Sequence, residues 1–234
     1  YTEGSSVKIA PIVSSVKSLN VLIRMWERKY NRYPDFVVIE GPSAGGHLGF
    51  SLEELETFTQ EPYDQVIRGI IGKTREYAKK AGREIPVVVS GGILDGEDMK
   101  HALSLGADGV QVATRFVTTE ECDAAPAYKE AYIKAKKEDI CIVKSPVGMP
   151  GRAIHNAFID KTQKEKCRIK HCYHCITTCD PAKIPYCITQ ALVNAAEGKL
   201  DQALLFCGEN AYRCDKIEKV KNIMEEFDRA NQER

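Results

Sequence analysis

The chain has 234 residues, 43% of them hydrophobic and 28% charged, which is ordinary globular material for one or two domains. Thirty-three lysines and arginines balance thirty-three aspartates and glutamates, so no net charge recommends nucleic acid or an anionic membrane surface as a partner. No apolar run approaches the ~18 residues of a membrane span, and the cytoplasm is the expected location.

In chain order, Lys8 to Ser14 reads as a first strand and Val16 to Tyr30 as an amphipathic helix. A second strand, Phe36 to Glu40, runs straight into a turn from Gly41 to Gly49 that carries one histidine, His47. Gly41, Gly45, Gly46 and Gly49 crowd around it, as glycines do where the backbone takes positive φ or approaches a ligand closely. Alone, such a histidine reads as a turn residue bonded to a carbonyl. Two further strand-and-turn segments make it a candidate for chemistry. After an acidic, loop-like stretch from Ser51 to Pro62 and a helix from Tyr63 to Lys80, the strand Pro86 to Ser90 ends in Gly91 and Gly92. Asp95 and Gly96 then open a helix to Leu105. The strand Gly109 to Val112 ends in Ala113 and Thr114, and a helix follows at Ala125 to Lys136. Successive parallel strands that finish in small residues expose backbone N–H groups at their carboxyl ends, which suits a phosphate. In a (β/α)8 barrel that site lies between the loops after strands seven and eight. If these are those strands, Gly91, Gly92, Ala113 and Thr114 form it.

The three segments EGPSAGGHLGF, PVVVSGGILDG and GADGVQVATRFVTTEE, in this order, resemble the nitronate monooxygenase family, once called 2-nitropropane dioxygenases. That family also embraces the FMN-dependent bacterial enoyl-ACP reductases. The resemblance runs from about Lys8 to Asn156. It implies FMN held through its phosphate at Gly91, Gly92, Gln111, Ala113 and Thr114, with Gly45 and Gly46 near the flavin and His47 in the place of the family's catalytic histidine. The family usually has glycine where Ala113 stands; an alanine N–H still donates.

Only four strand-helix units can be found, where a closed barrel needs eight in roughly 250 residues. The fold expected is therefore α/β: strands five to eight of a (β/α)8 barrel in residues 1–140, followed in 141–234 by a crossing loop, a cysteine-rich segment and a helical cap. The chain opens on Tyr1 rather than methionine, as the carboxyl-terminal part of a longer protein would. A half barrel leaves strand edges unpaired, so either the first half of the barrel or a second copy is the expected partner.

Seven of the nine cysteines fall after residue 166, and Cys172, Cys175, Cys179 and Cys187 read CxxCxxxC with a fourth cysteine eight positions on. Four thiolates at such spacing suit zinc or an iron–sulfur cluster. Flavin barrels of the dienoyl-CoA reductase type place a similar set after the barrel around a [4Fe–4S] cluster, with a longer last gap. The competing reading is a reduced set in a small helical cap, with His171 and His174 exposed beside it. Cys207 and Cys214 look like core or cap residues beside a helical pattern from Ile188 to Phe206.

Lys144 to Asn156, with two prolines, two glycines and few apolar pairs, reads as an ordered crossing loop. Arg152 either approaches the flavin site or ties the loop down. Ile217 to Ala230 is an amphipathic closing helix. Basic runs at Lys134 to Lys137 and Lys161 to Lys170 read as solvated faces.

The function expected is an FMN-dependent oxidoreductase that oxidises nitronates or nitroalkanes with O2, with His47 as base. A second expectation is an enoyl thioester reductase using NAD(P)H, which an iron–sulfur cluster would favour. From a different class, a metal-binding scaffold without catalysis remains open. Small molecules are the expected substrates.

Overall fold

The computed structural model describes residues 5–169 and 171–233; Tyr1 and Lys170, the last of the second basic run, lie outside them. The elements in order are β1 (Ile12–Val13), α1 (Val16–Tyr30), β2 (Val37–Glu40), β3 (Gly46–His47), α2 (Leu52–Glu56), α3 (Gln60–Ala81), β4 (Val87–Ser90), α4 (Gly96–Ser104), β5 (Gly109–Gln111), α5 (Thr114–Val117) and α6 (Pro126–Lys134). They continue as β6 (Ile140–Lys144), β7 (Pro150–Ile154), α7 (Ala157–Lys164), α8 (Ile188–Ala196), β8 (Leu205–Phe206) and α9 (Val220–Gln232).

Four strands form a parallel sheet in the order β1-β2-β4-β5. Val38 lies between Ile12 and Val88, and Val89 opposite Val110, so the carboxyl ends of the strands line up along one rim. Both faces of such a sheet must be covered, which explains the near-continuous valine and isoleucine runs. Val37, Ile39, Val87 and Val89 are buried against Ile23 of α1 and Ile67, Ile70 and Ile71 of α3. Each such side chain taken out of water is worth about 1.5–3 kcal/mol. The helices start where sequence dictates. Ser15 and Asp95 each accept the N–H of the residue three positions on and close a capping box. Asp108 sets the register between β4 and β5: its Oδ2 accepts the Val87 N–H at 2.7 Å while Arg75 holds the same carboxylate at 2.7 and 2.8 Å. The four strand-helix units and the parallel sheet are those of a (β/α) barrel segment.

Two expectations change. The stretch read as an acidic loop holds the short α2, capped by Ser51, and the first turn of α3. The stretch read as a crossing loop is an antiparallel hairpin of β6 and β7, with Ile140 opposite Ile154 and Lys144 opposite Pro150. Its turn closes through Ser145 N–H to Met149 O and Gly148 N–H to Ser145 O, both 3.0 Å. Gly148 takes φ +88°, and Pro150 is the first residue of its strand, a place where proline is tolerated. β7 is central to a second, antiparallel sheet, pairing β6, β3 and β8. The helix expected to reach Phe206 stops at Ala196, and Leu205–Phe206 join β7 instead. The closing helix α9 packs Ile223, Phe227 and Ala230 into the first core, where the Ala230 methyl lies against Gly96 of α4.

Candidate flavin site

Where the parallel strands end, a cleft of about 280 Å³ opens. Gly45, Gly46, Gly91, Gly92, Gln111, Ala113 and Thr114, which come from three separate segments of sequence, all line it. The glycines there are required. Gly91 and Gly92 take φ of +91° and +81°, and a Cβ on Gly91 would stand 2.9 Å from the Ala44 nitrogen. A Cβ on Gly45 would stand 2.5 Å from the Cys207 carbonyl carbon, closer than any side chain is tolerated. Four glycines in these turns keep that part of the cleft free of side chains, which fits the close approach of a phosphate or of the flat edge of a flavin. Thr114 is the first residue of the short α5, and its hydroxyl accepts the Gly208 N–H at 2.9 Å.

The rest of the wall was not legible in the sequence. Phe206, Cys207 and Gly208 enter from β8 and its continuation, and Tyr128 and Tyr132 from α6. The Tyr128 and Tyr132 hydroxyls lie 3.0 Å apart, and Tyr132 donates to the Phe206 carbonyl. Burial pushes the Cys207 thiol up to about 12, so it lines the cleft as a neutral group. Glu40, the last residue of β2, also faces the cleft, and burial raises its carboxyl above the ordinary value. Its position at the carboxyl end of a strand was the one signal that could have found it.

His47 lies one residue beyond this lining, on β3. Its ring packs edge-on against Phe206, with centroids 5.0 Å apart, and its Nε2 stands 2.7 Å from the Ser145 hydroxyl. Burial holds the imidazole below its ordinary 6.5. Arg152 does not reach a carboxylate. It sits on β7 opposite Gly46 and donates through Nη1 to the carbonyls of Pro42 and Ala44, both at 2.6 Å, so it braces the histidine turn from behind.

The cysteine-rich segment carries a correction. Cys172, Cys175, Cys179 and Cys187 do line one cavity, of about 880 Å³. Yet among the described residues no group of three or more His, Cys, Asp or Glu could hold a metal ion, and the expected iron–sulfur or zinc centre is not supported. The thiols follow local structure instead. Cys175 Sγ is bonded by the Thr189 hydroxyl at 3.0 Å, Cys187 caps α8 through its backbone, and His174, just before Cys175, is exposed, with φ +50°. Cys207 and Cys214 are buried, as expected.

The chain resembles several known proteins. A probable nitronate monooxygenase of Staphylococcus saprophyticus is 35% identical over 128 residues, 54% of this chain and 34% of that protein. One of Staphylococcus aureus is 32% identical over 127 residues, 54% of this chain and 33% of that protein. The chain thus spans about a third of the curated relatives it matches. FabK from Thermotoga maritima superposes with a TM-score of 0.70 at 28% identity, covering 99% of this chain and 63% of that one. Nitroalkane oxidase from Streptomyces ansochromogenes shares the fold, with a TM-score of 0.65 at 20% identity over 99% of this chain and 60% of that one. The family model described as nitronate monooxygenase matches residues 2–228, and the chain belongs to the nitronate monooxygenase family.

Proposed function

We propose that this chain supplies the phosphate cradle and the histidine of an FMN-dependent oxidoreductase that oxidises nitronates or nitroalkanes with O2. The observation that carries the reading is the convergence of Gly45, Gly46, Gly91, Gly92, Gln111, Ala113 and Thr114 on one cleft at the carboxyl ends of parallel strands. FMN bound there would supply the electron transfer that no side chain provides. The backbone amides of Gly91, Gly92, Ala113 and Thr114 would take the phosphate, and the Gly45-Gly46 turn would lie along the flavin. Phe206, Tyr128 and Tyr132 would give the flavin an aromatic wall on the other side. His47, neutral because it is buried, accepts the α-proton of a nitroalkane.

The FabK likeness favours a second reading, reduction of an enoyl thioester, in which His47 would polarise the carbonyl. In either case β1 and β5 are sheet ends with one neighbour each, and Val7, Ile12, Val21 and Met25 are exposed near β1. We read this edge as completed by further barrel strands or by a second copy. Small molecules remain the proposed substrates. No helix of the described residues is long and apolar enough to cross a membrane.

The test is FMN titration together with turnover of a nitronate and of an enoyl thioester, for the parent protein and for His47→Ala. Retained FMN with turnover lost by about a hundredfold or more supports the base. Turnover within a few-fold of the parent would make His47 structural.

A further inference from the structure

Ser145 is the residue against which His47 rests, and nothing in the flavin reading uses it. It follows β6 and opens the hairpin turn, and it is 2% exposed. Its hydroxyl stands 2.7 Å from His47 Nε2, across a separation of 98 residues. The surrounding backbone holds the two together: His47 pairs with Gly151 in the ladder, and the Leu48 N–H donates to the Pro150 carbonyl at 2.9 Å. The serine backbone is tied to Met149 and Gly148 across the turn. Neither partner reaches the other by chance of a mobile side chain.

A neutral imidazole has one donor and one acceptor nitrogen, and a hydroxyl has one proton to give. The Val147 N–H points at Ser145 Oγ from 3.4 Å and takes one of the two lone pairs of that oxygen. The second is free to accept from Nε2–H. We propose that Ser145 is a positioning residue for His47: its Oγ accepts the Nε2–H, so that Nδ1 keeps the bare lone pair a base needs, and the ring is pinned against Phe206 at the margin of the flavin cleft. The proposal rests on the reading of His47 as the reactive histidine. When His47 gains a proton it gains it at Nδ1, the nitrogen with the lone pair. The Nε2–H keeps its bond to Oγ throughout. One hydroxyl thereby serves both charge states, and the charged one more strongly.

No charged neighbour competes for this role. Burial is the one cause that holds His47 below its ordinary value. Lys144, next in the chain, is exposed, and Arg152, opposite Gly46, gives its guanidinium to Pro42 and Ala44. A serine that merely closed the hairpin turn would leave the protonation of His47 untouched, and this separates the two roles.

The experiment is ¹⁵N NMR of histidine-labelled full chain, with and without FMN, assigned through His47→Gln and titrated with pH. The expected parent spectrum shows His47 protonated at Nε2 with Nδ1 bare. Ser145→Ala should mix the two tautomers and lower the titration midpoint by about one pH unit, and Ser145→Thr should restore both. In the active parent protein Ser145→Ala should lower kcat about tenfold with little change in KM. A parent spectrum with Nδ1 protonated and Nε2 bare, or a Ser145→Ala variant with unchanged tautomer and midpoint, overturns the proposal. Should Ser145→Ala not fold, the parent and Ser145→Thr spectra decide alone. Because the spectra need no substrate, an active His47→Ala enzyme would refute the base while leaving the serine-imidazole pair standing.

Discussion

Arg152 Nη1 lies 2.6 Å from the carbonyl oxygen of Ala44, and the same nitrogen lies 2.6 Å from that of Pro42. One buried cation, 6% exposed, therefore shapes the turn that delivers Gly45, Gly46 and His47. Burial lowers its pKa, but an arginine stays charged under any condition in which the protein is folded. Arg152→Met keeps the stem and removes the donors. It should cost about 1–3 kcal/mol in urea unfolding, because two carbonyls lose a charged partner, and should weaken FMN binding. Arg152→Lys, with one compact ammonium for a planar fork, should recover only part of the loss.

Gly45 offers a steric test. Its Cβ would meet backbone of Cys207 and Gly208 at 2.5 to 2.6 Å, atoms that cannot swing away. Gly45→Ala should destabilise by about 1–3 kcal/mol and lower flavin content. Gly72, in the interior of α3 with nothing within 4 Å, is the matched control. Gly72→Ala should stabilise by about 0.5–1 kcal/mol through helix propensity, leaving flavin content alone. Thermal melts and flavin absorbance of the two variants check both signs.

The acid side of the pH profile follows from His47. Its pKa in the folded state is depressed below 6.5, so the neutral form persists on descending pH past the point where an exposed histidine would charge. Activity that needs the neutral ring should hold through 6.5 and fall only below it. Stability has the same sign: the unfolded chain binds the proton first, so the contribution is whole above the unfolded value and is lost as pH falls through the folded one. An activity limb centred above 6.5 would contradict the burial of the ring.

Arg115 joins three elements. Its Nε bonds Glu218 at 2.9 Å and its Nη2 bonds Glu226 of α9 at 2.7 Å, while its Nη1 reaches the Leu94 carbonyl at 3.2 Å. Glu226 also accepts the Gly96 N–H at 3.1 Å, and Arg115 beside it holds its carboxyl below the ordinary value. Arg115→Met strands two partly buried carboxylates and should cost about 3–5 kcal/mol by urea unfolding. The stability that Glu226 contributes is present above its unfolded value and disappears as pH falls through the lower folded one, so acid should shrink the difference between the parent and the variant.

Thiol labelling separates the cysteines. Burial raises the thiols of Cys207 and Cys214, whereas Cys175 is the one exposed cysteine of the nine. Iodoacetamide on the native protein should modify Cys175 first and Cys207 only after unfolding, as mass spectrometry of timed samples would show. Early modification of Cys207 would mean that the cleft opens far more readily than its packing suggests.

The local part of this fold was readable because local rules decide it. Val16 to Tyr30 is the helix its periodicity predicts, with Ser15 as its cap, and Asp95 opens α4 as its place before Gly96 suggests. The glycines of the cleft were legible through their spacing after apolar strands. What escaped depends on distant partners. Pro146, Gly148, Pro150 and Gly151 have the composition of a loop, and only pairing with Gly46 and Phe206 turns the flanking residues into strands. Ser145 carries no motif at all; its meaning comes from a histidine in another sheet strand. Cysteine spacing misled for a related reason, since it sets an interval along the chain and not the distances at which loops bring sulfurs together.

The cleft has one wall from the rim of the parallel sheet and the other from Phe206, Cys207 and Gly208, which belong to the later half of the chain. Whatever occupies it is clasped between the rim of the parallel sheet and the strand that ends at Phe206, and occupancy must act as a thermodynamic staple. A ligand at a hundred times its Kd adds about 2.7 kcal/mol against any opening that parts the walls. By reciprocity, anything that loosens the later half, such as a nick in the segment leading to β8, weakens ligand binding by the same factor. Protease resistance of that segment would thus report cofactor loading in a place that never touches the cofactor.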